Sequence, residues 1–103
     1  MSTPTAAFAA LADDTRWTIL VRLGQEPASA STLAKELPVS RQAIAKHLEV
    51  LAQAGLVEGQ RHGREVLHHP VGARLSELGR DLQRIGAVWE HRLAGIKKIA
   101  EEN

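Results

Sequence analysis

One stripe of apolar residues along the C-terminal third of the chain constrains its fold more than any other feature. The stripe follows Pro70 and repeats in steps of three or four residues, which is the spacing of one face of a continuous helix. Its members are Val71, Leu75, Leu78, Leu82, Ile85, Trp89, Leu93, Ile96 and Ala100. The spacing predicts one helix over residues 71–100, about 45 Å long, with Pro70 near its first turn.

The rest of the chain is too short to cover this stripe. The chain has 103 residues, which is typical of one domain, and the part before the helix consists of short elements with little surface to offer. A second copy of the chain is therefore the cover that we expect. This interpretation predicts a single domain over residues 1–103 and a homodimer that forms through residues 71–100. The predicted interface residues are Phe8, Leu75, Leu78, Leu82, Ile85, Trp89, Leu93 and Ile96.

Three glycines recur inside the predicted helix. Gly72, Gly79 and Gly86 are spaced by seven residues, and each interior glycine costs about 0.5–1 kcal/mol relative to alanine. Because the glycines lie beside the apolar stripe, close approach of a partner helix is the preferred explanation. A bend in the helix or a groove for a small molecule is the alternative, and the sequence identifies no effector.

Two helices are predicted near the N-terminus. The first covers residues 5–12, after which Asp13 and Asp14 suit the cap and the first turn of a second helix. The second helix ends just before Gly24, which is a plausible stop. It carries Trp17, which we expect to lie in the core or at an interface.

A pair of helices separated by a short turn comes next. Ser31 suits the cap of a short helix over residues 32–37, which Pro38 ends. Ser40 is a favoured cap for the following helix, and Gly55 stands where a left-handed C-terminal stop is expected. The separation of about three residues is that of a helix-turn-helix.

Two short strands are predicted after this pair, at residues 56–60 and 65–69. The intervening residues 61–64 (RHGR) form the tip of a hairpin, in which the His62-Gly63 pair supplies the unusual backbone angles of a tight turn. Helix, turn, helix and hairpin in this order define a winged helix. The predicted fold class is mainly α with a small β-hairpin, a winged helix-turn-helix with a long C-terminal dimerisation helix.

Four segments of the chain resemble the ArsR family of bacterial winged helix-turn-helix regulators. Residues 11–16 (LADDTR) are similar to the family's L-A-D-P-T-R, with Asp14 in place of the usual proline. Residues 40–57 resemble its longer motif S-Q-P-T-V-S-x-H-L-K-V-L-x-x-A-G-L-V, and residues 61–66 its R-x-G-R-x-V wing. Residues 89–98 (WEHRLAGIKK) resemble the end of members that lack metal ligands. The resemblance implies a dimeric repressor that binds a DNA operator.

The metal sensors of that family raise a less favoured alternative, a metal-responsive repressor. Their cysteine pair lies on the helix before the turn, where this chain has residues 32–37 (TLAKEL) and no cysteine. Their D-x-H pattern is also missing, because Asp81 is followed by Leu and Gln, and His91 stands alone on the terminal helix. Zinc needs three or four converging ligands, so we predict no metal site and no cofactor.

The exposed face of the second helix of the pair is the candidate for reading DNA. Ile44, Leu48 and Leu51 have the spacing of a buried stripe, which leaves a polar face on the opposite side. Arginine pairs with guanine, glutamine with adenine, and lysine with a phosphate or a guanine edge. An ordinary solvated face is the alternative for these residues, and for the wing arginines that can reach phosphates. The predicted DNA-binding residues are Ser40, Arg41, Gln42, Ala45, Lys46, Arg61 and Arg64.

Composition narrows the remaining classes of function. The chain has a net charge of +1 and no cysteine, which excludes a disulfide framework and thiolate metal sites. Its start lacks the pattern of a secretory signal, and no apolar run approaches the roughly 18 residues of a membrane span, so we expect a soluble cytoplasmic protein. No nucleophile or phosphate-loop motif indicates an enzyme. The rival from another class is a winged-helix module for protein–protein contact, which would expose apolar anchors instead of arginines.

Overall fold

The computed structural model describes residues 3–102 as five helices and a two-stranded antiparallel sheet. The elements in chain order are α1 (Pro4–Leu11), α2 (Asp14–Leu23), α3 (Ala30–Glu36), α4 (Arg41–Gln53), β1 (Val57–His62), β2 (Glu65–Pro70) and α5 (Gly72–Glu102). This order confirms the fold class that the sequence predicts. Within residues 3–102, no helix combines the length and the apolar character that crossing a membrane requires.

Side-chain caps fix the starts of the first two helices. The hydroxyl of Thr3 accepts a hydrogen bond from the amide of Ala6 at 3.1 Å, so α1 begins one residue before the predicted position. The carboxylate of Asp13 accepts from the amide of Arg16 at 2.9 Å and caps α2, as predicted. This bond lowers the pKa of the Asp13 carboxyl. Gly24 follows α2 in a right-handed conformation, so its freedom to adopt left-handed angles is not used there.

The start of α3 differs from the prediction by two residues. Ser29, and not Ser31, is the cap, and its hydroxyl accepts from the amide of Thr32 at 3.1 Å. Ser29 is buried and has extended backbone angles, whereas Ser31 already lies inside the helix. The end of α3 follows the rule for a residue before proline, because Leu37 is extended immediately ahead of Pro38.

Both predicted ends of α4 are confirmed. Ser40 accepts from the amide of Ala43 at 3.1 Å. At the other end Gly55 has a φ of +76°, and the amide of Leu56 donates to the carbonyl of Leu51 at 2.9 Å. This is the six-residue closing bond of a glycine-terminated helix, in which Leu51 and Leu56 also make the accompanying apolar contact inside the core.

The wing is a hairpin with a two-residue loop. His62 of β1 pairs with Glu65 of β2, which leaves Gly63 and Arg64 as the loop. Gly63 has a φ of +61° at the first loop position, as a primed hairpin turn requires. Of the predicted His-Gly pair, Gly63 therefore supplies the positive φ and His62 does not. The strands extend one or two residues beyond the predicted ends.

Backbone hydrogen bonds attach the base of the wing to the loop before α3. The amide of Ala28 donates to the carbonyl of His68 at 3.2 Å, and the amide of His68 donates to the carbonyl of Ala28 at 2.9 Å. Gly59 on β1 allows close packing there, because a Cβ at this position would lie 2.8 Å from Cγ1 of Val66. The wing is therefore held in a fixed position beside the helix-turn-helix.

The long helix α5 begins later than predicted. Pro70 ends β2 opposite Val57, and the carbonyl of Val71 accepts the first helical bonds from Arg74 and Leu75 at 3.1 and 3.2 Å. Pro70 is thus a strand end and not part of the first turn. The helix then runs for 31 residues and gives the molecule a longest dimension of 69 Å.

The core lies among α1, α2, α3, α4, the base of the wing and the first turns of α5. Its largest fully buried side chains are Ile19, Leu23, Leu33, Ile44, Leu51 and Leu56. Only the first two turns of α5 reach this core, through Leu75 and the buried Leu78. Within residues 3–102, large apolar side chains further along α5, such as Leu82 and Ile85, stay more than half exposed.

Candidate nucleic-acid interface

Helix α4 presents two contrasting faces. Ile44, Leu48 and Leu51 are at most 4 % exposed and attach the helix to the core. The residues on the opposite face are all exposed, and they are Arg41, Gln42, Ala45, Lys46 and Glu49. The first four lie in the leading half of the helix, where a recognition helix meets base edges in the major groove. Glu49 is placed further along, where its carboxylate accepts from Gln53 at 3.5 Å.

The cations of this region have no carboxylate partners. Across residues 3–102, no acidic oxygen lies within 4 Å of the side-chain nitrogens of Arg41, Lys46, Arg61 or Arg64. Some arginines elsewhere in the chain are paired, as Arg22 is with Glu36 and Arg84 with Asp81. An unpaired arginine keeps its full charge and all its donors for an external anion.

The structure brings some predicted site residues together and keeps others apart. Arg41 at the start of α4 and Arg64 in the wing loop face one cavity of about 340 Å³. Arg61 lies on β1, paired across the hairpin with Val66, and does not line that cavity. Ser40 uses its hydroxyl as the cap of α4.

Two further arginines hold the helix-turn-helix in place. Neither of them was among the predicted site residues. Arg22 binds Glu36 in a bidentate pair, with Nε–Oε2 at 2.6 Å and Nη2–Oε1 at 3.2 Å, and so fixes α3 against α2. The same bond raises the pKa of Arg22 and lowers that of Glu36. These partners are 14 positions apart, so no local spacing signals the pair.

Arg16 provides the second of these links. Its Nε donates to the carbonyl of Ala10 at 2.6 Å, and its Nη1 lies 3.4 Å from Nδ1 of His47 on α4. A guanidinium only donates, so Nδ1 of His47 is the acceptor in this contact. The link holds His47 inside the domain. Arg16 lies in the LADDTR motif, which was the available signal for its importance.

The predicted dimer residues fall into two groups. Leu78 is only 3 % exposed within its own chain, and Phe8 and Leu75 pack against the same core. Leu78 therefore offers little surface to a partner, whereas Phe8 and Leu75 are only partly buried and remain predicted interface residues. The other predicted positions lie along the uncovered part of α5, and they are Leu82, Ile85, Trp89, Leu93 and Ile96.

Further apolar surface on α5 went unrecognised in the sequence. Val88 and Ile99 are 61 % and 63 % exposed and lie beside the predicted stripe. At Gly72, Gly79 and Gly86 a Cβ would meet nothing within 4 Å in the same chain. The uncovered face of α5 is therefore wider than the heptad-like spacing indicates.

No cluster suited to a metal ion occurs in the part of the chain that the structure describes. Within residues 3–102, no group of three or more His, Asp or Glu side chains is placed to hold one. His68 and His69 are neighbours on β2, and burial, with a smaller effect from His69, lowers the pKa of His68.

Comparison with known proteins gives a consistent result. A family described as a helix-turn-helix domain matches residues 11–60. The HTH-type transcriptional regulator Rv2034 of Mycobacterium tuberculosis is 37 % identical over 98 residues, covering 95 % of this chain and 89 % of that protein. The structure of an ArsR-like transcriptional regulator from Rhodococcus sp. RHA1 is 56 % identical and superposes with a TM-score of 0.85, covering 94 % of this chain and 92 % of the other.

A more distant structure confirms the fold alone. It is a homodimeric winged helix-turn-helix DNA-binding domain from Mycobacterium bovis, 24 % identical, with a TM-score of 0.67 over 81 % of this chain and 77 % of the other. The fold and these matches define the class of protein as a DNA-binding regulator of transcription. Within that class, the chain belongs to the ArsR family of winged helix-turn-helix regulators, as its motifs indicate.

Proposed function

We propose that the chain is a homodimeric repressor that binds a roughly two-fold-symmetric operator. One α4 enters the major groove of each half-site, and the wings contact the flanking backbone. The observation that carries this proposal is the exposed face of α4, with the unpaired cations Arg41 and Lys46, beside a wing with two further unpaired arginines. Gln42 and Ala45 lie between those cations on the same face and are the candidates for base readout.

Dimerisation is proposed from the uncovered part of α5. Leu82, Ile85, Trp89 and Ile96 are each more than half exposed, and a monomer with so long an uncovered apolar face is unfavourable in water. A second copy of α5 offers a matching face, and a two-fold pair places two recognition helices for one symmetric site. Residues 1–103 then act as one domain, with the distal part of the dimerisation helix in the interface.

Repression is proposed from the relatives. A protein named HTH-type transcriptional repressor SmtB, from Mycobacterium tuberculosis, is 33 % identical over 69 residues. Those residues are 67 % of this chain and 51 % of that protein. A bound dimer that covers promoter DNA excludes polymerase, which is the simplest route to repression by a chain of this size.

Selection of genomic DNA fragments by the purified protein tests the DNA-binding proposal. We expect enrichment of a motif with two related halves whose centres are about one helical turn, or a multiple of it, apart. Recovery of fragments without a common motif would contradict operator binding and favour the winged-helix module for protein contact. Repeating the selection with candidate effectors identifies any signal that releases DNA.

A reporter placed under the selected promoter tests the direction of regulation. Deletion of the gene should raise expression if the protein represses, and lower expression would contradict that part of the proposal. A Gln42→Ala variant, expressed at the same level, is the matched control, because it keeps the dimer and weakens only the proposed base contact.

A further inference from the structure

The cavity between α3, α4 and the wing is built from parts that are far apart in sequence. It has a volume of about 340 Å³ and opens where the first turn of α4 faces the wing. Its lining residues are Ser29, Ala30, Ser31, Arg41, Arg64, Glu65, Val66 and His68. The wing side of the cavity is fixed, because β2 is hydrogen-bonded to the loop before α3 through Ala28 and His68.

The charges on its wall favour an anion. Arg41 and Arg64 come from different elements, and neither has a carboxylate within 4 Å in the described chain. Glu65 is the one acidic side chain on the wall. Burial lowers the pKa of His68, which favours the uncharged form of this ring. Two guanidinium groups against one carboxylate leave a net positive wall.

A hydroxyl complements these cations. Ser29 is occupied, because its Oγ donates to Thr32 Oγ1 and accepts from the Thr32 amide, both at 3.1 Å. Ser31 lines the cavity, and its hydroxyl has no hydrogen-bond partner in residues 3–102. Two arginines and a free hydroxyl are the donor set that proteins use for phosphate oxygens.

We propose that this cavity receives one DNA backbone phosphate, which Arg41 and Arg64 bind jointly, with the Ser31 hydroxyl as an additional donor. The inference rests on the proposed DNA-binding face and assigns Arg41 to the backbone, leaving base readout to Gln42 and Ala45. A free phosphate-bearing molecule shares the same chemistry. The position of the cavity between the recognition helix and the wing favours DNA, since a phosphate strand passes between these two elements in the proposed docking.

The salt dependence of DNA binding separates one shared phosphate from two. Each neutralised phosphate contributes about 0.9 to the slope of log K against log salt. If Arg41 and Arg64 share a phosphate, either alanine variant leaves it neutralised by the other arginine. We expect each single variant to change the slope little and the double variant to lower it by about 0.9. A loss of about 1.8 in the double variant, divided equally between the singles, overturns the shared site.

Neutral methylphosphonates placed one at a time in the selected duplex locate the phosphate. We expect the wild-type chain to lose affinity at each contacted phosphate, and about tenfold or more at the one position per half-site that enters this cavity. The Arg41→Ala and Arg64→Ala variants should each respond less at that same position, and the double variant not at all. Two different positions for the two arginines overturn the proposal. Replacing guanines should not reproduce these effects, and if it does, Arg41 reads a base.

Matched variants complete the design. Glu65→Gln should strengthen binding severalfold, because it removes the negative charge from the wall, and Ser31→Ala should weaken binding without changing the salt slope. Lys98→Ala removes a positive charge far along α5 and should change neither quantity. Thermal denaturation confirms that each exposed substitution leaves the domain folded. Unchanged affinity in both Glu65→Gln and Ser31→Ala counts against the cavity as the site.

Two outcomes distinguish this inference from the function on which it rests. A wild-type chain that binds neither selected nor random duplexes overturns both. A wild-type chain that binds DNA while the two arginines act at separate phosphates overturns the inference alone. Inorganic phosphate, followed by the NMR signals of the arginine side chains, tests the free ligand. Saturation below about 1 mM would show a small-molecule site and overturn the assignment to DNA.

Discussion

Helices α4 and α5 are both amphipathic, but their apolar faces differ in how far the chain buries them. The stripe of α4, at Ile44, Leu48 and Leu51, is buried by its own domain. The stripe of α5 is buried only as far as Leu78, and Ile85, two turns further on, is 68 % exposed. The same periodicity therefore predicts a buried face in both helices, but not which chain buries it. Whether a helix is buried by its own chain depends on how much apolar surface the rest of the domain can place against it.

The polar faces differ as well. On α5 two arginines have an acidic partner one turn away, with Arg74 Nη1 2.8 Å from Glu77 and Arg84 Nη1 3.3 Å from Asp81. On α4 the cations at the start of the helix have no such partners. An apolar face without cover indicates a protein partner, and a cationic face without counter-charge indicates a nucleic acid. Three experiments test this contrast, and a fourth tests the ion pair between α2 and α3.

Truncation of the α4 stripe should have the largest effect on stability. Leu51 is fully buried, and Leu51→Ala should lower the free energy of unfolding by about 2–5 kcal/mol. Chemical denaturation at several protein concentrations measures this loss, which we expect at every concentration. Ile85→Ala is the matched control on α5. A loss for Ile85→Ala that is as large and as independent of concentration would show that α5 is buried by its own chain.

Substitution in the uncovered part of α5 should break the dimer. Trp89→Ala removes a large exposed side chain from the proposed interface, and central aromatic anchors contribute about 2 kcal/mol or more. We expect dimer dissociation to become at least about thirtyfold easier, as measured by sedimentation equilibrium. Lys98→Ala on the polar side of the helix should leave association unchanged. A wild-type chain that sediments as a monomer at micromolar concentration would refute the interface.

Two substitutions on the exposed face of α4 should have distinguishable effects on DNA binding. Lys46→Ala should weaken binding to all sequences and lower the salt slope by about 0.9. Gln42→Ala should relax preference at one base pair, with a loss of about 1–3 kcal/mol of discrimination. Titration of each variant with the selected duplex and a random duplex measures both. Equal losses on the two duplexes for Gln42→Ala would exclude base readout by this residue.

The smallest effect concerns a paired arginine. Hydrogen bonding to Arg22 lowers the pKa of Glu36 from its ordinary value of 4.5, so the ion pair contributes stability above that value. The contribution disappears as the pH falls through the lowered pKa, when Glu36 becomes protonated. Thermal melts of the wild type and Glu36→Gln between pH 7 and pH 3 should therefore converge in acid. A difference that stays constant over this range would contradict the role of the pair.

Local sequence signals predicted the two ends of α4 well. They predicted poorly the start of α3 and the ion pair that holds α3 against α2. Ser40 and Gly55 act on the few residues next to them, so both ends of α4 were readable from the sequence. The cap of α3 was misassigned because Ser29 and Ser31 are both suitable caps, and the choice depends on the anchoring of the wing at Ala28. The Arg22–Glu36 pair joins positions that only the packed helices bring together.

The residue at which α5 leaves the core also could not be predicted from the sequence. Leu75 and Leu78 share the spacing of the distal stripe, so their burial by the domain depends on where α5 leaves the core. Pro70 fits either a helix start or a strand end, since neither position needs the amide hydrogen that proline lacks. Pairing with Val57 across the hairpin decides between them.

The chain has only two tryptophans, and both are a little more than half exposed, Trp17 at 56 % on α2 and Trp89 at 55 % on α5. Trp17 thus lies outside the core of the single chain, and its expected place at an interface stays a prediction. This placement gives the protein a natural optical reporter, because indole emission shifts to shorter wavelength when water is removed from the ring. With Trp17→Phe, the fluorescence of Trp89 alone would follow dissociation of the proposed dimer, without any attached dye.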